Sequence, residues 1–353
     1  MKLSHKWLCT LALSILAARD CLGQTSRVYE AYPTEVQASL EARERMVATA
    51  LSGTVVAAPQ FVITNLTHWT PGQTLKVAFN GGDPALRKDI MDAANQWTQF
   101  GNIHLDWGYV AATSAFREWS TNDQQYAADI RIGFSAKGYW SMVGSDSVDQ
   151  SLTPPNHPSL NLNRFDVRRP GNWKAVVLHE FGHALGFEHE HQHPTQGCDD
   201  EFRFDDDPEY VPTRDNSGEY IPDAKGRRPG IYTVLSGPLN GWDRAKVDAN
   251  LRKLKDSHAY TSGDFDRQSI MKYYFEDWMF KSGPDSRCYG PENLELSAQD
   301  QVGIAHVYPK RSEEMSGTIS DKLRILDALE QSQHLSSDLK QRVGSERSMQ
   351  LNR

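Results

Sequence analysis

The sequence predicts an α+β fold, and three stretches carry the prediction. Residues 75–79 read as a strand and are followed by a helix, with Asp83 as N-cap, Pro84 at the first helical position, and Ile90, Ala94 and Trp97 in register on one face. Ile130-x-Ile132-x-Phe134 alternates as a half-buried strand does. A second helix runs from Asn172, in the N-cap position, with Val177, Phe181, Ala184 and Leu185 as its apolar stripe.

The remaining elements fall around these. Residues 24–58 hold a helical stretch that begins near Thr34-x-x-Gln37, a capping-box spacing, with Val36, Leu40, Met46 and Val47 as its apolar points. A strand is expected at 103–107 and another, an edge strand, at 159–162. Residues 199–240 are acidic and loop-like. Their clusters Asp199-Asp200-Glu201 and Asp205-Asp206-Asp207 have the carboxylates that suit calcium, with a solvated surface loop as the commoner outcome for such runs. Beyond 310 the chain turns polar, and Leu323, Leu326, Leu329, Leu335 and Leu339 mark one or two amphipathic helices.

The second helix also carries chemistry. His179-Glu180-Phe181-Gly182-His183-Ala184-Leu185-Gly186-Phe187-Glu188-His189 reads H-E-x-x-H-x-x-G-x-x-H. With 12 His and 25 Gly in 353 residues, the five fixed points are expected by chance on the order of once in ten thousand such chains, so coincidence is set aside. His179 and His183, four apart, project from one helical face and supply two metal ligands. Gly186 allows the positive-φ turn that ends the helix and brings His189 to the same ion. Three neutral imidazoles with one open position describe a catalytic zinc site. Glu180, beside a ligand without being one, is placed to take a proton from an activated water and return it to a leaving amine. His191 and His193 lack the required spacing and are expected to support the site or face solvent.

This motif is that of the metzincin clan of zinc peptidases, which also carries a methionine turn downstream. Phe265-Asp266-Arg267-Gln268-Ser269-Ile270-Met271-Lys272-Tyr273 resembles the turn of the astacin family, in which an aromatic-Asp pair precedes S-x-M-x-Y. Gly186-Phe187-Glu188-His189-Glu190 matches the astacin G-F-x-H-E, and Glu190 sets the chain apart from matrix metalloproteinases, which place Ser there, and from serralysins, which place Pro. Leu296-Ser297-x-x-Asp300-x-x-x-Ile304-x-x-Val307-Tyr308 resembles the astacin closing segment. The resemblance spans roughly residues 60–310, though His191-Gln192-His193-Pro194 and the 82 positions from His189 to Met271 depart from it.

The resemblance implies a twisted, mostly parallel sheet with an antiparallel edge strand, an active-site helix and a mostly irregular C-terminal subdomain. It further implies one zinc ion on His179, His183 and His189, Met271 beneath it, and Tyr273 as a fifth ligand that swings away to hold the oxyanion. Tyr274 is the near competitor for that last role. Extended protein or peptide substrates would add as a strand to the sheet edge beside the cleft. A rival from another class is a catalytically silent zinc protein that binds a peptide or partner in the same cleft, and hydrolysis of a non-peptide amide or ester would use the same residues.

Lys2, Lys6 and the apolar run that follows read as a secretory signal over 1–23, with cleavage before Gln24 or, alternatively, after Ala18. The mature chain is therefore expected outside the cell, with no membrane anchor. Cleavage before Gln24 removes Cys9 and Cys21 and leaves Cys198 and Cys288, an even pair expected to form a disulfide, with two free thiols as the alternative. Asn65-Leu66-Thr67 is a glycosylation sequon. A net charge of −8 without a basic block argues against nucleic acid or an anionic membrane as partner. The organisation expected is a signal at 1–23, an N-terminal extension or short pro-segment at 24–58, a catalytic domain at 59–310 and a polar, partly helical tail at 311–353. The segment 24–58 has neither Cys nor Asp, so it is expected to carry no cysteine or aspartate switch onto the metal.

Overall fold

A computed structural model describes residues 29–51, 67–193, 197–252, 264–331, 335 and 337–351. The expected signal and the sequon asparagine lie outside them. No helix among the described residues is long and apolar enough to cross a membrane.

The chain opens with α1 (Thr34–Leu51) and then builds β1 (Thr74–Phe79), α2 (Pro84–Thr98), β2 (His104–Asp106), β3 (Ile130–Gly133), β4 (Tyr139–Ser141) and β5 (Leu160–Leu162). The sheet order is β2-β1-β3-β5-β4, parallel throughout except for β4, which runs antiparallel to β5 at one edge. The expected sheet type is thus the observed one, but the edge is Tyr139–Ser141 and not 159–162. β4 is three residues long and has no alternation to announce it, so hydrogen-bonding partners alone assign it.

α2 starts as its sequence dictates, with Asp83 accepting from the Leu86 amide at 2.8 Å and Pro84 in its first turn. β3 differs from expectation. All four of its residues are buried, because it lies inside a parallel sheet covered on both faces. Its polar member, Arg131, is tolerated there because its guanidinium donates to the carbonyls of His157, Ala128 and Ser147 at 3.0, 3.2 and 2.7 Å.

Across the sheet lies α3 (Trp173–Ala184), which packs on α2. Asn172 sits in the N-cap position, yet its side chain makes no cap bond and instead donates to Glu292 at 2.7 Å. At mid-helix Trp97 donates its indole N–H to the Leu178 carbonyl at 2.9 Å, and at the other end Trp69 donates to Ala184 at 2.8 Å and the Tyr308 hydroxyl to Leu185 at 2.6 Å. Three aromatic donors therefore fix the helix that bears the motif, two of them on carbonyls that its own ladder leaves unpaired. The first core, built from Val77, Ile90, Trp97, Ile130, Ile132, Leu160, Val177 and Phe181 among others, fills the space between the helices and the sheet.

Residues 197–252 and 264–296 are largely irregular, with the short pair β6 (Thr213–Arg214) and β7 (Tyr220–Ile221) and the helices α4 (Ile231–Leu235) and α5 (Arg244–Leu251). A second core of aromatic residues, including Phe202, Phe275 and Phe280, surrounds the Cys198–Cys288 disulfide. This bond closes a 90-residue separation, and in the chain-entropy account such a loop stabilises by roughly 4 to 5 kcal/mol. The acidic clusters are neutralised by arginines: Asp199 pairs with Arg252 at 2.9 Å, Glu201 with Arg287 at 3.2 Å and Asp207 with Arg228 at 3.3 Å. Among the described residues no group of ligand atoms converges there as calcium requires.

The chain closes with α6 (Ala298–Val307), α7 (Ser312–Glu330) and α8 (Ser337–Leu351). α6 begins in a full capping box between Ser297 and Asp300. The tail leucines Leu326, Leu329, Leu335 and Leu339 join Ile325 and Val343 in a core of their own between α7 and α8. The capping box expected for α1 is not made, since Gln37 turns forward to Glu41 at 3.1 Å.

Candidate active site

The site lies where the first core meets the second. His179 and His183 point from one face of α3, and each donates its Nδ1–H to a backbone carbonyl, of Ile270 and Phe187 respectively, both at 2.7 Å. That bond fixes the tautomer and turns the Nε2 lone pair inward, as a metal ligand requires. Gly186 has φ = +100°, and a Cβ there would stand 2.6 Å from the His68 ring, so the turn that returns His189 admits only glycine.

The Nε2 atom of His183 lies 3.2 Å from that of His179 and 3.1 Å from that of His189. A tetrahedron with zinc–nitrogen arms of about 2.0–2.1 Å has edges of about 3.3 Å. The three nitrogens are therefore already spaced as neighbouring vertices around one zinc ion, and the donor set fits that metal. Burial, with the neighbouring His183, presses His189 down to about 4, which leaves it neutral and able to ligate.

The fourth vertex is occupied by a residue that the sequence reading did not select. A carboxylate oxygen of Glu30 lies 2.9 Å from His179 Nε2 and 3.3 Å from His189 Nε2, and the other lies 3.6 Å from His183 Nε2. All four ligand atoms fall within 4.8 Å of one another, the one such group among the described residues. Burial would raise Glu30, but His183, His189 and His179 outweigh it and hold the carboxyl well below the ordinary range. The absence of Cys and Asp from 24–58 thus did not mean the absence of a ligand. Glutamate carries the same donor on one more methylene. A sequence signal did exist, an acidic residue between Tyr29 and Tyr32 in the extended stretch before Pro33, but it is weak.

Tyr29 and Tyr32 explain how Glu30 is delivered. The Tyr29 ring is buried in the second core against Phe275 and Tyr273, and its amide donates to Asn240 at 3.0 Å. The Tyr32 hydroxyl donates to the carbonyl of Ser141 on the edge strand at 2.8 Å. The segment spans the cleft from one wall to the other.

Glu180 is buried at 2 % exposure, and its Oε2 has no hydrogen-bond partner among the described residues. Burial first, and the Glu30 carboxylate second, push it well above the ordinary range. Met271 is buried under the helix. A Cβ on Gly182 would stand 2.2 Å from its sulfur, so a larger residue there displaces the methionine side chain. The turn is held by Asp300, which accepts from the Ser269 hydroxyl at 2.7 Å and the Ile270 amide at 2.9 Å. The closing segment and the methionine turn are one structure joined through that carboxylate.

Tyr273 is buried beside the histidines, 4.4 Å from His189 between ring centroids, and its hydroxyl donates to the backbone carbonyl of Glu30 at 3.1 Å. Tyr274 lines the adjoining cavity of about 360 Å³ with Ala175, Val176, Lys272 and Glu292. His191 and His193 are both buried rather than solvated. His191 packs on Tyr273 at 4.5 Å and bonds the Asn250 carbonyl at 2.9 Å through Nε2.

No protein-family model and no curated protein matches the sequence. Among solved structures, a structure of myroilysin matches at 28% identity and a TM-score of 0.50, covering 69% of this chain and 97% of that one. A crystal structure of myroilysin matches at 24% identity and a TM-score of 0.42, over 69% of this chain and 86% of that one. High choriolytic enzyme 1, a hatching enzyme zinc-protease from the medaka fish Oryzias latipes, matches at 16% identity and a TM-score of 0.40, over 69% of this chain and 96% of that one. The first of these is matched over nearly its whole length, and two of the three zinc-spaced histidines stand on a helix that the methionine turn and closing segment both brace, so the chain is an astacin-like metzincin, a zinc metallopeptidase.

Proposed function

We propose that the chain is a secreted endopeptidase that cleaves extended protein or peptide substrates, with Glu180 as general base and acid, and that its own N-terminal segment keeps it latent by placing Glu30 on the metal. The observation that carries the catalytic reading is the buried Glu180 Oε2 beside the histidine trio, without a hydrogen-bond partner among the described residues. Leaving a polar atom so costs about 1–3 kcal/mol, which a purely structural carboxylate would recover by finding a donor. The disulfide supports export to an oxidising compartment.

Zinc, when bound, supplies a Lewis acid that polarises the scissile carbonyl and lowers the pKa of water toward about 7. Glu180 accepts the proton from the attacking water and returns it to the departing amine. The Tyr273 hydroxyl, once the Glu30 carbonyl leaves it, is a donor beside His189 for the developing oxyanion. The Ser141 carbonyl, already accepting from Tyr32, is an acceptor for a substrate lying along the edge strand.

A digest of a peptide library by the chain freed of residues 24–58 tests the reading. Cleavage at internal peptide bonds, lost on chelation and restored by zinc, is expected. No cleavage from the freed, zinc-loaded chain overturns the catalytic reading in favour of the silent binder. For Tyr273→Phe in the freed chain, kcat is expected to fall roughly 10- to 1000-fold with KM near normal, because the bond strengthens only as charge develops. Tyr274→Phe is the control. If Tyr274→Phe alone impairs turnover, the oxyanion role passes to it, and if neither does, the turn acts by packing.

A further inference from the structure

The tail helices α7 and α8 lie outside the residues that carry the astacin resemblance, and they meet the N-terminal segment twice, once by direct packing and once through a shared carboxylate of the catalytic domain. Met46 of α1 packs against the apolar core that Ile325, Leu326, Leu329, Leu335, Leu339 and Val343 form between α7 and α8. Nearby, Asp146, buried at 2 % exposure in the turn after the edge strand, takes a guanidinium from each end of the chain. Arg43 of α1 binds both of its oxygens, one at 2.8 Å, and Arg342 of α8 reaches it at 2.9 Å while also pairing with Asp149. A buried carboxylate shared in this way is satisfied fully only while both segments are in place.

The tail in turn is anchored on the catalytic domain by contacts that do not involve α1. Lys322 donates to the His68 carbonyl at 2.5 Å and Gln350 bonds Thr70, while Lys322 also ties α7 to α8 through Glu346 at 2.6 Å. α1, by contrast, has an amphipathic stripe too sparse to stand alone, and its apolar anchor Met46 rests on the tail.

We infer that the C-terminal tail is an in-chain clasp that retains the N-terminal segment over the site, so that latency is set from both ends of the chain. The clasp rests on the reading of Glu30 as the blocking ligand but acts through different residues. α1 lies just after Tyr29-Glu30-Ala31-Tyr32-Pro33, and holding it limits how far Glu30 can leave the histidines. Loss of the tail is then a second route to activation, alongside loss of residues 24–58 themselves.

The test compares the zinc-loaded full chain with a chain ending at Arg311 and with Met46→Glu, which leaves the tail intact. Amide hydrogen exchange is read over α1 and over α3, with peptide cleavage followed in parallel. In both variants exchange across 34–51 is expected to rise roughly 10-fold or more while α3 stays protected, and latent activity rises with it. Unchanged protection of α1 in both variants overturns the clasp. If the chain ending at Arg311 also loses protection in α3, it has unfolded and Met46→Glu alone decides. Glu30→Gln separates the two ideas: it relieves latency with α1 still protected. If it does not, while truncation does expose α1, the blocking role of Glu30 fails and the clasp stands.

Discussion

Glu180→Gln, made in the chain freed of its N-terminal segment, is expected to lower kcat/KM for peptide cleavage by about 1000-fold or more while zinc content and melting temperature stay at wild-type values. The amide keeps the size of the carboxylate but cannot accept a proton, and a positioned general base contributes about 100- to 10,000-fold. The buried pocket does not need the charge for packing, since Oε2 has no hydrogen-bond partner among the described residues. The substitution therefore separates chemistry from fold. Zinc stoichiometry, thermal unfolding and steady-state cleavage of a quenched peptide are the three readouts. Activity equal to wild type would remove Glu180 from the mechanism, and would point to a base supplied by substrate or solvent.

Glu30→Ala in the intact chain is expected to act in the opposite direction, raising cleavage on the order of 100-fold above the unprocessed wild type. The carboxylate is tethered beside the histidines, with Tyr29 and Tyr32 buried or bonded on either side, so it competes with substrate at a high local concentration. Occupancy at about 100 times its dissociation constant corresponds to about 2.7 kcal/mol. The same change removes the negative charge that helps push Glu180 toward its protonated, inactive form. The measurement is the initial rate before any self-processing, checked by mass spectrometry of the intact chain. If the wild-type chain with residues 24–58 in place already cleaves as fast as Glu30→Ala, the segment does not block the site.

The motif helix was legible because its information is local. His179, Glu180 and His183 share a face by helical geometry alone, and Gly186 is demanded by a φ that no larger side chain tolerates beside His68. The same holds for α2, whose Asp83–Pro84 start is a matter of four consecutive residues. The Cys198–Cys288 bond followed from counting, once an oxidising compartment was assumed. Where local pattern competed with context, context won. The alternation at Ile130 and Ile132 suggested one wet face, yet β3 is covered on both faces, with Arg131 sheltered by carbonyls. The true sheet edge, β4, is too short to carry a pattern of its own.

By itself the sequence determined the donor set proposed for zinc, His179, His183 and His189, with the adjacent Glu180 and the turn beneath them, because each of these is specified by spacing over a few residues. Tertiary structure decided which carboxylate lies against those histidines and which distant segments lie near it. Glu30 lies 149 positions from His179 and is one of 46 acidic residues, with no periodicity or cap to distinguish it. Arg43 and Arg342 meet on Asp146 from opposite ends of the chain. A ligand's identity is local chemistry, but its arrival depends on which distant segments the packed cores bring together.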